Sequence, residues 1–217
     1  MSNLYSVGQM NQLGDAFEAE GFRPDDVTKL KQFGNLAGVL SVLRGLAKIK
    51  PVAEDTARVI TLNPTTIAVN LGAAPELPFN GARVDQHIGD GWAVVEKRAD
   101  GLYVNGRKVV LHLSKRQLGG KWLKGHELCE ELADKPVLNA NLLDAFYDNP
   151  HLIPEDWKKD EQGNARYIFF WGTISRDSDG YLYVRYLYFA GGTWYRYYRW
   201  LDGGWFGVGP AALLASN

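Results

Sequence analysis

The stretch between residues 166 and 205 constrains the fold of this chain most, because it holds most of the large aromatic side chains in three runs. Each run has strand length and is dense in Tyr, Phe, Trp, Val and Ile, the residues that fit a pleated, half-buried surface. Glycines stand in the breaks, where tight hairpin turns require a positive φ. The stretch therefore predicts an antiparallel β-meander. Its strands are predicted at Tyr167–Ser175, Tyr181–Phe189 and Trp194–Leu201.

Alternation of side chains along these strands sets rings and arginines on both faces of the meander. One face should cover a core, which leaves the other as a binding platform, because rings stack on sugars or bases and guanidinium groups add cation–π contacts. Cross-strand pairs that only stabilise the sheet produce the same pattern. The candidate ligand-binding residues are Tyr183, Arg185, Trp194, Arg196, Tyr198 and Trp200.

Composition excludes several functional classes. The chain has 24 Lys and Arg against 25 Asp and Glu, so no global field draws it to duplex DNA or anionic lipid, although a local patch stays open. The single cysteine, Cys129, excludes an internal disulfide and a cysteine-built zinc site, and we expect no cofactor. Neither a secretory signal nor a run of ~20 apolar residues stands out, so the expectation is a cytoplasmic protein with no membrane partner.

Hydrophobic spacing along the chain predicts an α+β fold. We expect an N-terminal helical region over residues 1–50 and a central β-rich block over 51–116, in which Asn105-Gly106 is a strong hairpin signal. Residues 117–217 combine a helical connector with the C-terminal sheet. Helices are predicted at Val7–Glu20, Pro24–Phe33, Leu36–Ile49, His126–Ala133 and Asn139–Tyr147, and central strands at Thr56–Asn63, Thr66–Leu71, Trp92–Arg98, Gly101–Val104 and Lys108–Ser114.

The connector carries a weak catalytic constellation. His126 and Glu130 are four residues apart, hence on one helix face, and Glu127 is adjacent. The segment lacks the second histidine of a zinc-binding HExxH helix, and a solvated amphipathic face explains the same residues. Asn139 and Asn141 are interpreted as structural, one capping the second connector helix and the other bridging to the sheet.

Long segments of the chain resemble a recurrent module of uncharacterised, hypothetical bacterial proteins. In that module a KPVLNANxLD block and an LIPxxWK block precede FFWGTIxRDSDGxLYVRYLY, and the N-terminal segment and the GLYVNGRKVVLHLSKRQ block resemble its upstream parts. Phe189 stands where the module often has tryptophan, and Ala145, Phe146 and Tyr147 replace its usual leucines. The resemblance implies an architecture and no activity, ligand or catalytic residue. The segments that carry it are KGHELCEELADKPVLNANLLDAFYDNPHLIPEDWK, FFWGTISRDSDGYLYVRYLY, GPAALLAS and MNQLGDAFEAEGFRPDDVTKLKQF.

The function that these patterns favour is a non-enzymatic binding or interaction module that uses an aromatic and arginine face of the sheet. Its predicted partner is a glycan, a single-stranded nucleic acid or another protein. One alternative is an enzyme acting on a small polar substrate between connector and sheet, with His126, Glu127 and Glu130 as its site. Another is a self-associating structural protein and hence a homo-oligomer, since exposed strand edges and large rings invite pairing.

Overall fold

The computed structural model describes residues 6–19 and 58–216 of the chain. The chain divides into two compact units, Met1–Val52 and Ala53–Asn217. In the first unit helix α1 spans Val7–Ala19, in agreement with the predicted Val7–Glu20. The helices predicted at Pro24–Phe33 and Leu36–Ile49 lie outside the described residues.

The second unit contains one large, curled, mixed β-sheet and a short two-stranded ladder, with helices on both faces of the large sheet. The fold is therefore α+β, as predicted. Its helices are α2 (Gly125–Leu132) and α3 (Ala140–Asp148). Its strands are β1 (Val59–Asn63), β2 (Thr66–Asn70), β3 (Arg83–His87), β4 (Trp92–Arg98), β5 (Gly101–Val104), β6 (Arg107–His112), β7 (Leu123–Lys124), β8 (Tyr167–Arg176), β9 (Leu182–Ala190), β10 (Thr193–Trp200), β11 (Gly204–Trp205) and β12 (Ala211–Leu214).

The strand order in the large sheet is β1-β2-β4-β5-β6-β12-β8-β9-β10, and β3 pairs with β8 outside this path. The C-terminal meander β8-β9-β10 is antiparallel, as predicted. The hairpin at Asn105-Gly106 is confirmed, with φ of 49° and 75° at the two turn residues. β12 joins the central block to the meander, because it pairs antiparallel with β6 and parallel with β8.

Two hydrophobic cores lie on opposite faces of this sheet. The first core encloses α3, whose residues from Ala140 to Phe146 are all buried because β2, β8, β9 and β10 curl around it. The second core lies under α2 and includes Leu128, Trp171 and Trp205. Alternation along β8 assigns Ile168 and Phe170 to the first core and Phe169 and Trp171 to the second, so β8 is buried on both faces.

The N-terminus of α3 is held by Asn139 and Asn141, the two asparagines for which the sequence predicts a structural role. Asn139 caps the helix by accepting from Leu142 N at 3.3 Å. Asn141 donates to the backbone carbonyl of Asn70 at 2.9 Å and to that of Ala73 at 2.8 Å, which ties the helix to the end of β2. The cap and the bridge are therefore both confirmed.

Candidate functional site

The six predicted ligand-binding residues lie on the face of the meander that covers the first core. Arg185 and Trp194 are buried, with 5% and 7% of their surface exposed, so the expectation that this row faces solvent is wrong for both. The rings of Tyr183 and Tyr198 pack against Phe79, at centroid distances of 5.2 Å and 4.9 Å. Trp200 is 43% exposed. A ligand-binding role stays a prediction for all six residues: Tyr183, Arg185, Trp194, Arg196, Tyr198 and Trp200.

The two arginines of this row serve a buried ion-pair cluster. Arg185 and Arg196 both donate to the carboxylate of Asp144 on α3, and Arg196 also pairs with Glu76 at 2.7 Å. Burial lowers the pKa of Arg196, but the hydrogen bond to Asp144 and the charges of Asp144, Glu76 and Asp148 raise it above its usual value overall. This arrangement locks α3 to the sheet and engages both guanidinium groups in ion pairs of the protein itself.

The opposite face of the meander carries a row of tyrosines in mutual contact, here called the tyrosine face. Tyr188 stacks on Tyr195 at a centroid distance of 5.4 Å and an interplanar angle of 23°, and Tyr167 contacts Tyr188 at 5.6 Å. Tyr195 and Tyr197 are 43% and 55% exposed. Tyr197 contacts Tyr186 on its own face and also Tyr198, which belongs to the other face, so the Tyr197 ring lies at the edge of β10. The tyrosine face comprises Tyr167, Tyr186, Tyr188, Tyr195 and Tyr197.

These tyrosines are left outside because the second core ends before it reaches them. α2 and the β7–β11 ladder, which contains Trp205, cover the sheet as far as Val184 and Phe169. Tyr167 and Tyr186 lie half-buried at the border of that core. Burial raises the pKa of the Tyr186 phenol, so its hydroxyl stays protonated at neutral pH. The result is a ring surface with hydroxyl groups beside a packed wall.

A pocket of about 290 Å³, here called the Arg199 pocket, lies where the tyrosine face meets this wall. The guanidinium of Arg199 lies 5.6 Å from the centre of the Trp205 ring, and its Nη2 donates to the Gly204 carbonyl. The Nε of Arg199 is buried and has no hydrogen-bond partner among the described residues. The described residues that line the pocket include no carboxylate, so the pocket is suited to a flat ring or an anionic group. The lining residues are Tyr167, Phe169, Tyr186, Arg199, Trp205, Phe206, Val208 and Gly209.

Two further cavities continue from the Arg199 pocket along the surface. The second, of about 640 Å³, shares Phe206 and Val208 with the Arg199 pocket, and the third, of about 600 Å³, shares Gly120 and Lys121 with the second. A Cβ built on Gly204 would lie 3.3 Å from the Trp122 ring. The same Cβ would lie 3.4 Å from the Phe206 ring, so both rings cover this glycine.

Sequence interpretation did not select Trp122 or Phe206. The one available signal is position: Trp122 follows Gly119-Gly120 and Phe206 follows Gly203-Gly204 and Trp205, in segments too short to show a period. Both rings are exposed, at 56% and 47%. A large ring at a glycine-rich turn, outside any predicted core stripe, therefore marks a surface position worth testing.

The three weak catalytic candidates on α2 do not form a site with one another. His126 lies 3.1 Å from Asp202, whereas Glu127 pairs with Arg116 and accepts from Lys124 N at 2.9 Å. The hydrogen bond from Arg116 lowers the pKa of Glu127, which makes it a poor general base. Glu130 is exposed, and its side chain makes no hydrogen bond to another described residue. Each candidate therefore has a separate environment.

Neither Cys129 nor the nearby Ser114 has the surroundings of a nucleophile. Burial raises the pKa of the Cys129 thiol, which disfavours its thiolate. Ser114 is buried and donates to Glu131 at 2.6 Å instead of to a histidine. Among the described residues no group of three or more His, Cys, Asp and Glu is arranged to hold a metal ion.

Comparisons of the chain with family models, with curated proteins and with solved structures produced no match. Within residues 6–19 and 58–216 no helix has the length and apolar character needed to cross a membrane. The class that the fold defines is an α+β protein with an aromatic-rich curled sheet, and the resemblance to the bacterial module stays a prediction.

Proposed function

We propose that this protein is a non-enzymatic binding module that holds its ligand against the tyrosine face and in the Arg199 pocket. The observation that carries the proposal is a row of contacting tyrosines, continuous with a pocket lined by rings and one guanidinium. Rings offer flat apolar surfaces to sugars, bases or peptide side chains, and one placed cation orients a polar group. Both kinds of group occur together at this place.

Stabilisation of the sheet alone accounts less well for the same residues. A pair such as Tyr188 and Tyr195 contributes roughly 0.2–1 kcal/mol to a ladder. That gain does not explain why the exposed Tyr197 packs on Tyr186, which lines a cavity together with Arg199. The Nε of Arg199 is a buried donor with no hydrogen-bond partner among the described residues. A ring-rich patch beside a polar-tipped pocket is typical of a binding site.

Binding to three sets of probes tests the proposal: neutral oligosaccharides, single-stranded oligonucleotides and proline-rich peptides. The test variant is Tyr195→Ala with Tyr197→Ala. The matched control is Trp92→Ala with Val94→Ala, since these residues are 48% and 44% exposed on β4, far along the sheet. We expect at least one probe to bind the parent, and the tyrosine variant to lose about tenfold or more in affinity while the control does not.

Two results would overturn the proposal. One is a parent protein that retains none of the probes. The other is a folded tyrosine variant, with the far-UV circular dichroism and melting temperature of the control, that binds every probe as well as the parent does.

Self-association is the second candidate function, and the edge position of β10 favours it. Within the described residues β10 pairs only with β9, so one side of its backbone is open to another strand. Light scattering over a range of concentrations tests this role. A mass that grows with concentration, and that Tyr195→Lys returns to the monomer value, would support it, whereas a constant monomer mass would remove it.

A further inference from the structure

Building on the proposed function, we infer that its ligand is single-stranded nucleic acid. The binding strip runs from the tyrosine face through the Arg199 pocket and the two cavities beyond it to Trp122. The two properties that such a ligand needs are cations for phosphates and accessible rings for unstacked bases. Both are concentrated in this strip.

The strip is cationic although the whole chain has a net charge of −1. Two carboxylates line the three cavities, those of Asp160 and Glu161. Because five cations line the three cavities against two carboxylates, the field over the strip is positive locally, and phosphates can replace water around the basic side chains. The cations that line the cavities are Lys115, Arg116, Lys121, Arg166 and Arg199.

Most of these cations are available to a ligand. Arg116 pairs with Glu127. Within the described part of the chain no salt bridge engages Lys115, Lys121 or Arg199, and both lysines are exposed. They can meet phosphates without breaking an ion pair of the protein.

Asp160, one of the two carboxylates, is used inside its own loop. It accepts from Gln162 N at 3.0 Å, from Asn164 N at 2.8 Å and from Asn164 Nδ2 at 3.0 Å. These bonds, that from the Asn164 side chain above all, lower its pKa. Glu161 is exposed beside it and makes no such bonds among the described residues. Glu161 is therefore the carboxylate whose removal should help an anion most.

Exposed rings recur along the whole length of the strip. Tyr195 and Tyr197 begin it, Phe206 lies between the first two cavities and Trp122 lines the third. Bases stack on such rings with little sequence preference, and only a single strand presents its bases unpaired. A neutral sugar chain has no anionic groups to pair with the cations, and the bases of a duplex are not free to stack on the rings. The combination of cations and rings therefore favours a single strand.

Fluorescence anisotropy tests the inference with labelled oligothymidylate and oligouridylate of about 20 nucleotides, a duplex of the same length, and polygalacturonate as a ring-free polyanion. The titrations cover about 50 to 200 mM salt. We expect both single strands to bind more tightly than the duplex or the polyanion. Lys121→Ala, an exposed position, should lower affinity and reduce the slope of log K against log salt by about 0.7.

Four further variants separate rings from charges. Trp122→Ala should weaken oligothymidylate binding about tenfold with the salt slope unchanged. Glu161→Gln should strengthen binding. Trp92→Ala and Arg98→Ala, an exposed ring and an exposed cation on β4, should behave like the parent.

The outcomes keep this inference distinct from the binding function itself. Oligonucleotides that fail to bind, while a neutral glycan or a peptide binds in a way that requires Tyr195 and Tyr197, overturn the nucleic-acid assignment and leave the binding module standing. Equal binding of single strand, duplex and polyanion, insensitive to Trp122→Ala, also overturns it. If no probe binds in a way that requires Tyr195 and Tyr197, both the nucleic-acid assignment and the proposed binding function are overturned.

Discussion

Arg185 holds the carboxylate of Asp144 with two hydrogen bonds, Nη1 to Oδ2 at 2.8 Å and Nη2 to Oδ1 at 2.6 Å. The pair joins β9 to α3, with 6% and 9% of the two side chains exposed. Arg196 on β10 donates to the same Oδ1 at 2.6 Å. One carboxylate thus pairs with two guanidinium groups beneath the sheet, with Glu76 as a second partner of Arg196, which gives Asp144 a large structural role.

Asp144→Ala should lower the free energy of unfolding by about 3–5 kcal/mol, because it leaves buried arginine charge without its partner. Asp148→Ala removes an exposed carboxylate one turn later on α3 and should change stability by about 0.5 kcal/mol or less. Urea denaturation of the two variants measures the difference. Equal losses of stability in the two variants would show that the ion pairs of Asp144 do not account for the loss in Asp144→Ala.

Two tryptophans of β10 should differ sharply in their contribution to stability. Trp194 is 7% exposed within the first core, so Trp194→Ala should cost about 3–5 kcal/mol through lost burial and the cavity left behind. Trp200 is 43% exposed and contacts Tyr181 edge-on at 5.3 Å, so Trp200→Ala should cost about 1 kcal/mol or less. Chemical denaturation of each single variant checks this, and a larger loss for Trp200→Ala would contradict the different burial of the two rings.

Local patterns predicted the elements of this fold well, whereas non-local pairings escaped them. The C-terminal meander, the Asn105-Gly106 turn and the helices α2 and α3 follow from alternation, turn chemistry and helical spacing. β12 did not, because its sequence AALL favours a helix as much as a strand until it lies between β6 and β8. β3 has the sequence RVDQH, with no apolar alternation, and it forms through pairing with β8.

The same limit applies to the candidate site. Both faces of β9 and β10 carry rings and arginines, so their sequences do not tell which face α3 covers. The choice depends on the pairing of Asp144 with Arg185, two residues 41 positions apart. The Arg199 pocket also requires Tyr167, Arg199 and Phe206 to meet across three segments. The spacing of residues along the sequence does not predict that these three segments come together.

Gly172 should not tolerate a side chain, because the N-terminus of α3 rests directly on it. It lies in a bulge of β8, between the pairs Phe169–Tyr186 and Ile174–Val184. A Cβ at this glycine would lie 2.9 Å from the Leu138 carbonyl oxygen. Gly172 N also donates to that oxygen at 2.8 Å, so the backbone cannot retreat without losing a buried bond.

We expect Gly172→Ala to lower the free energy of unfolding by about 1–3 kcal/mol. Gly14→Ala is the control, because a Cβ there would meet nothing within 4 Å and alanine favours the α1 helix. Thermal melting of both variants should show a lower midpoint for the first and no decrease for the second. An unchanged midpoint for Gly172→Ala would mean that α3 can shift away at little cost.

The Glu131 carboxylate should make the stability of the second unit depend on pH. It accepts from Ser114 Oγ at 2.6 Å and lies 3.3 Å from His112 Nε2, with Lys135 contributing a favourable charge. Burial raises the pKa of Glu131, but the hydrogen bonds from Ser114 and His112 outweigh it and bring the pKa below its ordinary value of 4.5. The folded state therefore binds fewer protons here than the unfolded state.

The stabilisation from Glu131 is fully present above pH 4.5 and disappears as the pH falls through the lower pKa of the folded state. The unfolding free energy, measured by urea denaturation from about pH 7 to about pH 3, should consequently decline less steeply in Glu131→Gln than in the parent. Glu130→Gln removes an exposed carboxylate from the same helix and is expected to follow the parent curve. If the unfolding free energy of Glu131→Gln declines with pH as steeply as that of the parent, the pH-dependent stability comes from other acids. The contacts of Glu131 with Ser114 and His112 then do not favour the ionised carboxylate.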